Sequence, residues 1–134
     1  SFQKRDNGRE EMSCEKEIQR SLVDGLFTNA TNRFSLVWSY GNTPVNLTGY
    51  TFRMDLKRDL AASTVPALQI TTTLTNGNQI TTNPTAGEII VEIGEASSAS
   101  LTGIYYTDLR VIEPSGKELT IAPLTLKFHP SVTV

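Results

Sequence analysis

The sequence is short of almost everything that catalysis or a membrane span requires. Its one cysteine, Cys14, cannot close an internal disulfide, and a lone thiol suits a protein made in a reducing cytosol better than a small secreted domain. Its one histidine, His129, stands in "KFHPS" with no partner triad in view, and is read as a surface or packing residue. A zinc site needs three or four protein ligands, so one Cys and one His without a spacing motif supply no metal site. GxGxxG, P-loop, GxSxG and HExxH motifs are all missing. The inventory therefore names no catalytic residue and no cofactor, and an enzyme is not expected. No apolar run approaches the roughly 20 residues of a membrane span, and the polar N-terminus is unlike a secretion signal. Charge is nearly balanced, with 12 Lys and Arg against 14 Asp and Glu for a net of −2. Neither nucleic acid nor an anionic membrane is attracted at long range by such a chain.

What is present favours strands. Aromatics are scarce at 7% while Thr, Ser and Asn are plentiful, a composition of strands and turns more than of helices. A chain of 134 residues suits one domain, burying about two thirds of the surface exposed when unfolded. Its composition shifts near Phe27. The preceding "SFQKRDNGREEMSCEKEIQRSLVDG" is dense in both signs of charge, and residues 1–27 are read as a polar arm followed by a docking helix. Cys14, Ile18, Leu22 and Leu26 recur every fourth residue, with Ser13 placed to cap and Gly25 to stop, so the spacing predicts a helix over Ser13 to Asp24. Its apolar stripe is one residue wide and must lie against something. "DNG" at Asp6 lacks the ligand spacing of a calcium loop, and the sequons at Asn29 and Asn46 are expected by chance in a Thr-rich chain.

Residues 28–134 read as strand and turn. Phe34, Leu36, Trp38 and Tyr40 alternate with Ser35, Val37 and Ser39 before "GNTP"; sharing a face with Phe34 and Leu36, the two larger rings belong to a core and not to a sugar-stacking platform. In "NLTGYTFRMDLKRD", Tyr50, Phe52, Met54 and Leu56 point one way and Thr51, Arg53, Asp55 and Lys57 the other. Asp55 and Asp59 with Lys57 between them make a solvated face that protects the sheet from sticking. "PALQITTTL" closes on "NGN", and Gln79 to Thr82 and Gly87 to Gly94 follow as further strands. "EASSASLTG" is expected to make a helical turn. Gly103 to Glu113 carries Tyr105, Thr107, Leu109 and Val111 on one face, and "EPSGK" then makes a hairpin into the last strand. Pro123 inside that strand predicts a sheet edge or a break. Seven strands with turns at intervals of about ten residues argue for an antiparallel β-sandwich, immunoglobulin-like in outline although the cysteine pair of antibody domains is absent. On the outward side of the sixth strand Ile104, Tyr106 and Ile112 accompany Asp108 and Arg110. With Ile90 they form a candidate docking patch.

Several of these motifs, in order, resemble a known group. Asn46, Leu47, Thr48, Gly49 and Tyr50, then Gly87, Ile89 and Val91, then Gly103, Tyr105, Asp108 and Leu109, then Pro114 and Gly116 match the (D/N)-L-T-G-Y strand, G-x-I-x-(V/L) strand, G-x-Y-x-x-D-L strand and P-x-G hairpin of one domain type. It is the small sandwich domain at the N-terminus of siphophage baseplate upper proteins, which also occurs in phage tail-fibre and head-fibre proteins. The resemblance covers about Arg33 to Val134. It implies a virion structural protein, made in the bacterial host cytoplasm and present in multiple symmetric copies, whose partners are other virion proteins of the tail, baseplate, fibre or capsid. The charged arm before Phe27 lies outside the shared pattern, and no fibre domain follows Val134, so the expectation is the adaptor alone. Lys4, Arg5 and Arg9 are then expected to make charged contacts with a partner, Ile18, Leu22 and Leu26 to dock as a stripe, and Ile104 and Tyr106 to add the sheet-face patch.

Overall fold

The computed structural model describes residues 16–18, 22–59 and 65–130. Ten strands fall among them: β1 Lys16–Ile18, β2 Leu22–Phe27, β3 Asn32–Tyr40, β4 Thr43–Pro44, β5 Thr51–Leu56, β6 Leu68–Thr71, β7 Gln79–Asn83, β8 Glu88–Ile93, β9 Gly103–Ile112 and β10 Glu118–His129. One short helix, α1 Glu95–Ser98, follows β8, at the place where small residues without strand periodicity predict a helical turn. One sheet runs β2-β10-β9-β5-β6 and the other β1-β3-β8-β7, with β4 hydrogen-bonded to β3. Neighbours are antiparallel except β2 and β10, which pair in parallel.

Two-residue periodicity decides which sheet face is inside. In β5 Phe52, Met54 and Leu56 are buried while Thr51, Arg53 and Asp55 face outward, and in β9 the buried set is Tyr105, Thr107, Leu109 and Val111. Ile89, Val91 and Ile93 of β8 meet them from the other sheet in one hydrophobic cluster that includes Trp38, Ile70, Ile80, Leu126 and Phe128. The result is a sandwich with a single core, consistent with the layered packing that such alternation demands.

The helix over Ser13 to Asp24 is not formed where that stretch is described. Lys16–Ile18 and Leu22–Phe27 are strands instead. The stripe at every fourth residue lacks the second apolar row that holds a helix to a core. Val23, outside the stripe, is 1% exposed, while Leu22, within it, is 55% exposed. β2 lies beside the end of β10, with Leu22 opposite Thr125 and Leu26 opposite Phe128. Gly25 does not stop a helix; its φ of +95° sits in a register irregularity of that pairing.

β3, β5, β7, β8, β9 and β10 fall where alternation predicts them, but β6 is shorter than the expected Pro66 to Leu74 and β4 forms inside "GNTP", where a break is expected, so the described residues hold ten strands against the seven expected. Asn76 and Gly77 both have positive φ, 53° and 81°, and Thr75 and Asn78 exchange backbone hydrogen bonds of 3.0 and 2.9 Å, as a two-residue hairpin turn requires. Glu113 N–H donates to Lys117 O, closing the hairpin around Pro114 and Gly116. Gly87 is required by close approach: a Cβ there would meet Trp38 O at 2.5 Å. The break expected at Pro123 does not form. β10 runs through Pro123 without a break, and among the described residues its pairing with β2 begins at Thr125.

Candidate interaction surface

The outward face of the five-stranded sheet that contains β5, β9 and β10 carries the polar chemistry. Over it opens a groove of about 410 Å³ lined by Arg53, Asp55, Lys57, Asp59, Tyr106, Asp108, Arg110, Pro123 and Thr125. These positions are outward because the alternate residues are committed to the core. The register of β9 on β5 sets Arg110 beside Arg53 and Leu109 beside Met54, and the pairing resumes with a bridge between Lys57 and Tyr106. Arg53 Nε lies 3.8 Å from Asp55 Oδ2 and is buried without a hydrogen-bond partner. Gln69 Nε2 donates to Asp55 Oδ1 at 2.9 Å. Arg110 reaches along the hairpin to Glu118, 3.8 Å away. Although three aspartates line the groove, no three His, Cys, Asp or Glu side chains among the described residues are gathered closely enough to hold a metal ion.

The residues expected to bind a partner are placed unevenly. Lys4, Arg5 and Arg9 lie outside the described residues. Ile18 is on β1 opposite Trp38, Leu22 is exposed on the edge strand β2, and Leu26 is in the core at 4% exposure, where it offers a partner no surface. Leu22 and Leu26 make no common stripe, because Leu22–Phe27 is a strand and not a helical turn. Ile104 is 43% exposed and Tyr106 half-buried, and both lie on the groove side with Asp108, Arg110 and Ile112. Ile90 does not join them. It is on β8, in the other sheet, and its outer face looks the opposite way.

Of the two rings considered as a sugar platform, Trp38 is 1% exposed and stands T-shaped to Tyr50, with ring centroids 6.1 Å apart. Tyr40, at the strand end before Gly41, is 47% exposed, so the expectation of a core position fails for it where the strand turns away. His129 is remote from the groove lining and binds Asp24 instead, Nε2 donating to Oδ1 at 2.5 Å across the β10–β2 pair. That bond, assisted by the Gly25 N–H and by the charges of His129 and Lys127, holds the Asp24 carboxyl below its ordinary value of 3.8, against a smaller opposing effect of desolvation.

A second polar cluster escaped the sequence reading. Asn78 Oδ1 accepts from Gly94 N at 2.7 Å, and its amide donates to Ser97 Oγ. Ser98 Oγ donates to Ala30 O and accepts from Ala30 N. Asn78 and Ser98 are 3% and 0% exposed, so these bonds tie α1 to the loops at one end of the sandwich. The only local signal is the run of small hydroxyl residues in "EASSAS". No helix among the described residues is long and apolar enough to cross a membrane. No protein-family model matches the chain, and no match to a curated protein was found.

Proposed function

We propose that this chain is a non-enzymatic structural protein of a bacteriophage particle, an immunoglobulin-like adaptor at the tail, baseplate or fibre attachment site that works through contacts with other virion proteins. The observation that supports the reading is the order of the turn-driven motifs, each at a position with a geometric need for its residue. Gly49, Gly87, Gly103 and Gly116 all have positive φ, and the strands between them supply the alternating core positions Ile89, Val91, Tyr105 and Leu109. The motifs thus describe a way of folding a sandwich, and the phage domains they resemble are the reason for the virion assignment. A head-fibre or capsid-decoration role uses the same domain and differs only in where the protein sits. A carbohydrate-binding module is less well supported, because Trp38 is withdrawn into the core.

Purified particles test the proposal. Mass spectrometry of gradient-banded virions should find the chain in several copies per particle, and a labelled version imaged on particles should mark the tail end. Label on the capsid would move the assignment to a head-fibre or decoration protein. Absence of the chain from infectious particles would reject the virion role altogether.

A further inference from the structure

The groove carries a charge arrangement that the stability of the sheet does not account for. Arg110 and Arg53 are register partners, and the same register, carried on to the Lys57–Tyr106 bridge, brings Asp108 beside Asp55. Like charges directly opposite in an antiparallel pair oppose folding. A face that served only to stay wet would set unlike charges opposite each other, and the same four residues could do so in another order. The two ion pairs formed by the arginines are long, 3.8 Å each. Arg53 Nε stands 3.8 Å from Asp55, beyond hydrogen-bond range, and is buried with no acceptor, while the ion partner of Arg110 is Glu118, outside the groove lining. Departures from local consistency of this kind concentrate at functional sites.

The two rows are two residues apart along each strand, about 7 Å. Successive same-face side chains of an extended segment have that same spacing. We propose that the groove binds an extended segment of a partner protein carrying one acidic and one basic side chain two residues apart, the acid over Arg53 and Arg110 and the base over Asp55 and Asp108. The groove's 410 Å³ takes a few residues and not a folded domain. Tyr106, next to the aspartate row, flanks the stem of the basic side chain. The partner class rests on the adaptor reading; the charge complementarity does not.

Capped five-residue peptides probe the groove on the intact protein: glutamate second and lysine fourth among serines, the reverse order, and controls with two glutamates or two lysines. In low salt, NMR titration should shift the backbone amides of residues 53–57 and 106–110 with at least one mixed-charge peptide, at an apparent affinity at least tenfold above either same-sign control. Asp108→Asn and Arg110→Gln, both at outward positions, should each lower that affinity about fivefold while leaving the remaining amide spectrum in place. No shift at these amides, or an equal response to same-sign peptides, overturns the proposal. Failure here with the chain present in particles would remove only the groove, whereas peptide binding by a chain absent from particles would remove only the virion role.

Discussion

Gly87 shows how one missing side chain can govern a junction. Its φ is +65° and a Cβ would press on Trp38 O and on the Val45 N–H, both backbone atoms that cannot swing aside. Gly87→Ala should therefore lose roughly 1–3 kcal/mol of stability, measured by urea unfolding; a loss below a few tenths would mean that β3 and the start of β8 can separate at little cost. Asp24 makes a pH-dependent contribution. Its folded-state pKa lies below 3.8, so the His129 contact stabilises the fold above that value and is lost as pH falls through the lowered one. Asp24→Asn should melt earlier than the parent at neutral pH, with the gap closing in strong acid; a gap independent of pH would deny the ion-pair role. Asp108→Asn should act the other way, raising stability by roughly 0.2–1 kcal/mol because it relieves the aspartate row. Leu56, at 0% exposure, tolerates no charge: Leu56→Asp would bury a carboxylate without a partner and cost several kcal/mol, of the order of the whole stability of a domain.

At the scale of elements, β2 changes what a truncation means. Its Val23 and Leu26 belong to the core and its backbone pairs with β10, so removing the first 26 residues takes away a packed strand together with any contact to a partner. A point change separates the two effects. Leu22→Asp, at an exposed edge position, should leave the melting temperature within about 2 °C, the scale of a surface substitution. Reduced incorporation into particles would then assign Leu22 to an interface, and unchanged incorporation would free it of that role. Periodicity on a single row is ambiguous: Ile18, Leu22 and Leu26 fit a four-residue helical spacing, but a strand with a glycine irregularity buries positions 23 and 26. β5 was legible because it alternates cleanly between apolar and polar side chains, whereas β8 and β9 were legible from their inward rows, Ile89, Val91 and Ile93 and then Tyr105, Leu109 and Val111, although Ile90, Ile104, Tyr106 and Ile112 lie outward.

For the molecule as a whole, both sheets share one hydrophobic cluster, which makes them a single cooperative unit. Trp38, the one tryptophan, reports the centre of that core. Urea unfolding followed by its fluorescence should coincide with loss of far-UV circular dichroism, and two separated transitions would show the sheets unfolding independently. The chain by itself determined its class, the inward face of most strands and most of the turns, because alternation and positive-φ residues are local properties that act through nearest neighbours. It also marked Arg53, Asp55, Asp108 and Arg110 as outward. That these four stand as a row of arginines against a row of aspartates was decided only by the tertiary structure, since residues as far apart in sequence as Arg53 and Arg110 acquire a common register through core packing. The same holds for β2 beside β10 and for Ile90 on the far side, because a one-dimensional pattern carries periodicity and no record of which strands become neighbours.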